Sequence, residues 1–330
     1  LHLSIRRQRQ MCIRDRELET RFLASAGAVA QLGVTLVALI AWVGLERIGA
    51  MLVRISRGAG GRWRRDTALR AGARLVMIAS AAIVFGGIAV LALWSVSGLW
   101  QFPDALPANF SLRSWMQALP RMSGPLATTL AVAGLSTLIA LVLTILCLER
   151  EYETGRGRGG GALLLIYLPL IVPQISFMFG LQVLSIWLGV DASFSALVLA
   201  HLVFVLPYVF LSLSDPWRAH DRRHDLIAAG LGMSRTRTLI RIRLPMLTRA
   251  VLTAAAVGFS VSVGQYLPTV LIGAGRLTTV TTEAVALAAG GNRRAIGVYA
   301  FMQTLLPFLA FSIATGLPGL LFRNRRGLRV

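Results

Sequence analysis

Seven long apolar runs, separated by polar or arginine-rich intervals, dominate the chain. A membrane-spanning helix needs about 20 mostly apolar residues, and each run is long enough to supply one. Asp, Glu and Arg are absent from all seven runs. Because lipid offers no partner to backbone polar groups, each run is predicted to form an α-helix. The runs comprise residues 22–45, 75–98, 125–147, 162–187, 194–214, 250–272 and 296–322.

The two ends of the chain and its first interval carry separate expectations. Residues 1–21 contain the string RQRQMCIRDR, which resembles translated sequencing-adaptor sequence, and they lack the apolar core of a signal peptide. This end is predicted to be non-native and disordered, on a chain that is truncated at its N-terminus. The interval 47–74 holds eight arginines and a GAGG break at 58–61, which is typical of a flexible basic linker. Residues 323–330 form a basic tail.

Positive charge comes entirely from arginine and is concentrated between the runs. Lys and Arg together number 34, none of them is Lys, and the net charge is +20. A mean hydropathy of +0.68 excludes a soluble domain of this size. Arginines that flank apolar runs are typical of membrane proteins, so no nucleic-acid partner is expected. The two cysteines suggest no disulfide framework.

The arginines also predict which intervals face the cytoplasm. Twenty-three arginines fall in one set of alternating intervals and five fall in the other set. Since cytoplasmic loops carry the excess of positive charge, the first set is predicted to lie inside, together with the C-terminus. The inside set is 47–74, 148–161, 215–249 and 323–330, and the outside set is 99–124, 188–193 and 273–295.

The largest interval between the later runs has a helical pattern of its own. Its segment 225–245 reads DLIAAGLGMSRTRTLIRIRLP. Ala228 and Ala229 favour a helix that the following glycines break, and Ser234 can cap a second helix. Pro245 is predicted to interrupt that second helix. A helix–turn–helix between membrane spans is suited to contacting a cytosolic partner.

This segment resembles the cytoplasmic loop of binding-protein-dependent ABC importer permeases. The family signature places Glu-Ala-Ala, Gly, Ile and Leu-Pro at fixed spacing. Gly232, Ile242, Leu244 and Pro245 fall in that register. The alanine pair lies one place late, and Leu226 stands where the family has Glu, with Asp225 beside it. The layout of the runs and the segment GAGRLTTVTTEAVALAAGG most resemble the thiamine-type fused permeases.

The resemblance implies an all-α integral membrane fold with a six-span, type I importer-like permease unit at 75–322. One extra transmembrane helix at 22–46 would be the last helix of a missing first half. This chain would then be the C-terminal half of a longer one. The implied coupling loop is 215–249. Its contact residues would be Asp225, Leu226, Ala228, Ala229, Gly232, Ser234, Ile242, Leu244 and Pro245.

The resemblance also implies partners and a location. A cytosolic ABC ATPase would bind the coupling loop, and a second permease half would complete the unit. A periplasmic substrate-binding protein would deliver a small solute, which on this resemblance would be thiamine-like. The chain would lie among the lipids of the bacterial inner membrane as a multi-pass protein. It would perform no catalysis itself.

No nucleotide site is expected in the chain itself. The glycine strings at 58–61 and 155–161 lack the lysine of a phosphate-binding loop, so no cofactor is predicted. An ion-gradient-driven secondary transporter is the alternative class. The absence of carboxylates from the apolar runs weighs against it, because proton-coupled carriers need ionisable groups within the membrane.

Polar residues inside the runs are candidates for a substrate pathway, because each needs a partner in lipid. Hydrogen bonding between packed helices is the open alternative for each of them. His220 and His224 have the i,i+4 spacing of zinc ligands, but they are predicted to be a solvated approach to the loop, and no metal site is expected. The pathway candidates are Gln174, Ser176, Gln182, His201, Ser262, Gln265 and Tyr266.

Overall fold

The computed structural model describes residues 2–58, 67–98, 100, 104, 106–155 and 160–321. The elements in these ranges are helical, and a single isolated bridge pairs Ser97 with Phe110. The first six helices are α1 His2–Gly58, α2 Thr67–Val96, α3 Arg113–Thr154, α4 Gly160–Ile171, α5 Gln174–Trp187 and α6 Phe194–Arg218. The others are α7 Arg222–Gly230, α8 Arg235–Thr238, a π turn Leu239–Arg243, α9 Leu244–Met246, α10 Thr248–Val263, α11 Leu267–Gly273, α12 Val280–Ala289 and α13 Arg293–Leu321.

The chain forms two compact units. The first contains residues 1–83 and 168–183, and the second contains residues 84–167 and 184–330. In the first unit, α1 and the part of α2 up to Ile83 expose large apolar side chains, for example Ile40 at 72% and Ile83 at 75%. Apolar helices exposed in this way are stable only against lipid or another protein surface.

Helix α1 is longer than the sequence predicts. It begins at His2, so it includes residues 2–21 of the end that the sequence predicts to be disordered, and it continues through 47–58 of the predicted linker. The interval 47–57 contains one glycine and no proline, so nothing in it stops a helix that is already formed. The GAGG break itself falls largely outside the described residues.

Five of the described helices are long and apolar enough to cross a membrane, and a sixth span is counted if a bent pair acts as one. Two predicted runs are interrupted. The run 162–187 breaks at Val172–Pro173, and the run 250–272 breaks at Gly264–Tyr266, just before Pro268. Pro173 lacks a backbone donor and restricts Val172 before it, which accounts for the first break. In a continuous helix the ring of Pro268 would clash with the carbonyl four residues earlier, that of Gly264, where the second break begins.

The core of the second unit lies where α3, α6 and α10 pack together. Its buried residues include Trp217, Phe210 and Leu213 of α6, together with Leu148 of α3. Gly258 marks the closest approach of α10, because an added Cβ there would lie 2.6 Å from Val209 of α6. A small residue at such a point lets two helices pack in contact.

Helix α12 has a defined cap at each end. Thr279 forms a capping box with Thr282 at its start, and the helix ends at Ala289, with Gly290 as its C-cap. The N–H of Val280 also donates to Thr129 Oγ1 of α3 at 2.9 Å. The hydrogen bond and the buried residues of this short helix therefore join it to α3 and α13.

Replacing Gly258 by Val should destabilise the packed helices, because the new side chain would overlap Val209 and Val205. Overpacking of this kind costs about 1–3 kcal/mol. The midpoint of thermal unfolding in detergent is the measurement. The control is Gly134→Val in α3, where an added Cβ meets nothing within 4 Å. Equal midpoints for the two variants would contradict the close approach.

Candidate functional site

The short helix α7 ends in a specific hydrogen-bonded turn. The N–H of Gly232 donates to the C=O of Ala229 at 2.9 Å, and the N–H of Met233 donates to the C=O of Ala228 at 3.0 Å. This pair of bonds is the Schellman motif. Gly232 has φ +77°, a left-handed conformation that strains residues with a Cβ. The glycine is therefore required by the backbone of the turn.

Both short helices of the loop have side-chain caps. The Asp221 side chain accepts a hydrogen bond from the N–H of Arg223 at 2.9 Å and begins α7. The hydroxyl of Ser234 accepts one from the N–H of Arg237 at 3.4 Å and begins α8, as the sequence predicts. Since α7 has nine residues and α8 has four, neither is long enough to be stable alone. Tertiary contacts must hold them.

Pro245 does not end the second helix, in contrast to the sequence prediction. The π turn Leu239–Arg243 follows α8, and the N–H of Leu244 bonds the C=O of Leu239, one residue further than in an α-helix. That register places Pro245 at the start of α9, where a missing N–H removes no bond. The chain instead bends by 77° at Leu247, between α9 and α10.

Arg243 lies at the centre of a buried ionic network. Its guanidinium donates to Asp225 Oδ2 at 2.8 Å and forms a second ion pair with Glu149. Arg243 is only 3% exposed, and the hydroxyl of Tyr152 donates to the same oxygen of Asp225. Buried charges are tolerated when they are paired and hydrogen-bonded. The four side chains therefore tie α7 and the π turn to the last turns of α3.

The surroundings of Asp225 keep its carboxyl group ionised. Burial alone would raise its pKa, but the hydrogen bonds from Tyr152 and Arg243, together with the charge of Arg243, hold the pKa of Asp225 below its ordinary value. The guanidinium carbon of Arg243 also lies 3.9 Å from the centre of the Tyr152 ring. Tyr152 thus contacts both members of the ion pair, one by a hydrogen bond and one through its ring face.

Two further ion pairs surround the buried network. Arg218 of α6 donates to both carboxylate oxygens of Glu151, at 2.9 and 3.3 Å. Arg235 of α8 lies 3.7 Å from Glu153. Both arginines are well exposed, so each pair adds well under about 1 kcal/mol. Their geometry still shows that the acidic end of α3 receives arginines from α6, α8 and the π turn.

Sequence reasoning missed Glu149, Tyr152 and Arg243. Arg243 is one of eight arginines in the interval 215–249 and has no distinguishing neighbour. The available signal was on α3, where three Glu alternate with other residues at the end of an apolar run, in a chain with only 14 acidic residues. Such a cluster at a membrane boundary requires counter-charges, and the nearest basic interval could have been searched for them.

The outward face of α7 is apolar and uncovered. Leu226 is 70% exposed, Ile227 is 64% exposed, and Leu231 just after the helix is 78% exposed. Asp225 and Ala228 lie on the inward face, with Ala228 only 1% exposed, although the sequence prediction counted Ala228 among the contact residues. We call Leu226, Ile227 and Leu231 the apolar face. Adjacent exposed apolar side chains of this size mark an interaction surface.

The other predicted loop residues divide between exposed and packed positions. Ala229, Gly232 and Ser234 are exposed. Leu244 packs against the core that contains Trp217 and Leu213. The packed residues are half-buried and lie between the π turn and α10. They are Ile242, Leu244 and Pro245.

His201 joins the two pieces of the broken run 250–272. Its Nδ1 lies 2.8 Å from Ser262 Oγ in α10, and its Nε2 lies 3.0 Å from Thr269 Oγ1 in α11. Because Thr269 donates to the C=O of Gln265 at 2.9 Å, its oxygen must accept from His201 Nε2–H. Nδ1 then accepts from Ser262. The neutral imidazole satisfies both hydroxyls and holds the break in place.

The remaining pathway candidates occupy two places. Gln265 is buried at the break after α10, and Tyr266 beside it is 37% exposed. Gln174, Ser176 and Gln182 lie on α5, within the first unit. The structure thus brings His201 and Ser262 together in a hydrogen-bond cluster between helices, at the break that Gln265 occupies. Hydrogen bonding between packed helices is the open alternative to a pathway role for these residues. Their lining of a pathway stays a prediction.

His220 and His224 serve the loop in different ways. His220 is nearly buried, and its Nε2 lies 3.6 Å from Asp225 Oδ1. His224 is exposed, and its Nδ1 lies 3.2 Å from the C=O of Asp221. The two rings are tilted, with centres 5.8 Å apart. Within the described residues, no group of three His, Cys, Asp or Glu side chains is arranged to hold a metal ion.

Comparison with known proteins identifies relatives of one kind. The chain is 37% identical over 207 residues to the inner membrane ABC transporter permease protein YnjC of Escherichia coli, an alignment of 63% of this chain and 39% of that protein. It is 30% identical over 129 residues to the spermidine/putrescine transport system permease protein PotC of Haemophilus influenzae, covering 38% of this chain and 49% of that protein. No family model matches the chain.

A third relative is PhnV of Salmonella paratyphi A, a permease protein named for 2-aminoethylphosphonate transport. It is 25% identical over 208 residues, covering 62% of this chain and 78% of that protein. The chain spans less than half the length of the first two relatives. It is an all-α, multi-pass integral membrane protein of the inner membrane. Its homologues are the permease proteins of ABC transporters.

Replacing Arg243 by Ala should release α7 from α3, because Asp225 and Glu149 would remain without their counter-charge. Removing one partner of a buried ion pair costs about 3–5 kcal/mol, so amide hydrogen exchange in α7 should accelerate by roughly two to four orders of magnitude. The control is Arg241→Ala, two residues away and exposed. Unchanged exchange in the Arg243 variant would contradict the anchoring role.

Replacing Gly232 by Ala should strain the turn after α7, whereas Gly230→Ala should not. An added Cβ has open space at both positions, and only Gly232 has a positive φ. The strain is about 1–2 kcal/mol, which corresponds to roughly 5–30-fold faster opening of the turn. Trypsin cleavage at the exposed Arg235 and Arg237 reports that opening. Equal cleavage rates in the two variants would show that the conformation of Gly232 is unimportant.

Proposed function

We propose that this chain is a permease subunit of an ABC importer, in which the apolar face of α7 binds a cytosolic ATPase. The single observation that carries the proposal is the pairing of an exposed surface with a rigid support. Leu226, Ile227 and Leu231 are open to a partner, while Asp225 on the opposite side of the same helix is held by Arg243 and Tyr152. A helix that only anchored the chain to lipid heads would not need this buried support.

The support gives a route by which movement of α7 would reach the membrane spans. Asp225 and Glu149 share Arg243, so a displacement of α7 moves the end of α3 with it. The π turn carrying Arg243 continues into α9 and, through the bend at Leu247, into α10. Both α3 and α10 pack on α6. ATP-driven movement of the partner would thus be transmitted as rigid-body movement of packed helices.

Orientation and partners follow from the arginine distribution and from the relatives. By the positive-inside rule, the basic intervals predict that α7 and the C-terminus lie in the cytoplasm. A periplasmic substrate-binding protein and a second permease half complete the proposed importer. The relatives' names include both spermidine/putrescine and 2-aminoethylphosphonate, so homology alone leaves the solute of this chain open. A thiamine-like solute rests on resemblance only.

Replacing Leu226 by Asp should disrupt the proposed ATPase contact, because it puts a charge into the centre of the apolar face. The tagged full chain, purified from native membranes in mild detergent, should carry vanadate-sensitive ATPase activity, and the variant should lose most of it. The control is Leu188→Asp, which is similarly exposed at 63% but lies at the predicted outer side.

The same experiment separates the proposal from its alternative. Wild-type protein that carries no ATPase subunit, together with uptake that collapses when an ionophore is added, would favour a gradient-driven carrier. Loss of activity in the Leu188 variant and its retention in the Leu226 variant would reverse the proposed orientation.

A further inference from the structure

Two adjoining cavities open between the parts of the second unit that are predicted to face outward. The larger has a volume of about 880 Å³, which is ample for a small solute. It is lined by the starts of α3 and α13 and by α12, and its charged residues are Arg113, Arg121, Arg294 and Glu283. The smaller, of about 400 Å³, shares Arg294 with the larger cavity.

The arginines of the predicted outer intervals converge on these cavities. Those intervals contain five arginines in total. Three of them line the larger cavity, and Arg293 lines the smaller one beside Arg294. Arg276 alone lies elsewhere. Outer loops carry few arginines, so four of five gathered around one opening form a concentrated positive site and not a general surface charge.

In the part of the chain that the structure describes, the arginines of the larger cavity have no carboxylate partner. Within the described residues, no carboxylate lies within 4 Å of the side-chain nitrogens of Arg113, Arg121 or Arg294. Among the described residues that line the cavity, Glu283 is the only carboxylate. The cavity therefore offers three guanidinium groups against one negative charge, which attracts anions and repels cations.

The rest of the lining supplies hydrogen-bonding groups. Gln117, Asn109 and Asn292 contribute amides, and Tyr299 contributes a hydroxyl. In the smaller cavity, Trp94 and Trp100 add aromatic side chains close to Arg293 and Arg294. Guanidinium groups match the planar, paired oxygens of phosphate, phosphonate and carboxylate groups. The aromatic side suits the uncharged part of such a solute.

We propose that these cavities form an outer binding site for a small solute that bears an oxyanion, a phosphate, phosphonate or carboxylate group, with Arg113, Arg121 and Arg294 as its ligands. The inference rests on the proposed importer function and names its substrate class. It disfavours polyamines as cargo, because a polycation would meet three uncompensated arginines. The solute would contact this site on arrival, before it enters the spans.

The test uses inorganic phosphate as the probe and spermidine as the cationic comparison. The full chain is held in amphipol in phosphate-free buffer, and the ³¹P line width of added phosphate is followed. We expect broadening with the wild type and at least about tenfold weaker binding by the triple variant Arg113→Gln, Arg121→Gln, Arg294→Gln. Arg276→Gln is the matched control, and Arg294→Gln alone is used if the triple variant unfolds. Spermidine should not bind.

Several results would overturn the site. These are no broadening with the wild type, equal binding by the wild type and the arginine variants, equal loss in Arg276→Gln, or binding of spermidine. Arginine variants that still bind phosphate but lose capture of the periplasmic binding protein would assign the arginines to protein docking instead. The Leu226→Asp variant should retain phosphate binding, so failure of the ATPase contact and failure of this site are distinguishable.

Discussion

The burial of Arg243 is the constraint on which the arrangement of the loop depends. A guanidinium that is 3% exposed must keep its counter-charges, and those charges come from two separate places in the chain, Asp225 on α7 and Glu149 on α3. The loop cannot leave α3 without leaving a buried charge unpaired. Two helices too short to persist alone are thereby held in one position, and the apolar face of α7 is presented outward.

The loop is held rigidly by its ion pairs, whereas two of the predicted membrane spans are broken. The run 250–272 is interrupted beside Pro268, and His201 connects the residues on either side, Ser262 and Thr269. Ser136 of α3 donates to Ser262 at 3.4 Å, so the cluster reaches a third helix. The loop is thus held rigidly against α3, whereas at the break between α10 and α11 only a few hydrogen bonds resist a change of shape.

Local chemistry was predictable from the sequence, and long-range pairing was not. Ser234 as a cap and Gly232 as a helix end follow from rules that involve neighbouring residues only. The role of Arg243 depends on a carboxylate 94 positions away, and nothing local distinguishes it from the other arginines of the loop. The prediction that Pro245 interrupts the second helix is wrong for a similar reason. The π turn before it shifts the hydrogen-bond register, so Pro245 lies at the start of α9, where its missing N–H removes no bond. The burial of Ala228 also depends on tertiary packing, which the local sequence does not show. For this reason the sequence predicts Ala228 as a contact residue, although it lies on the inward face of α7.

The arginines of this chain fall into three groups, so the net charge of the chain alone says little about function. The arginines that are predicted to lie inside are numerous, and seven of the eight in the interval 215–249 are exposed, as expected of residues retained for topology. Arg243 differs because it is buried and shared by two carboxylates. The outer arginines are few, so chance would distribute them over three separate intervals and several surfaces. Three of the five line one cavity and a fourth lines the adjoining cavity, which requires a local cause. A negatively charged solute is the cause that guanidinium groups in a concave site favour most directly.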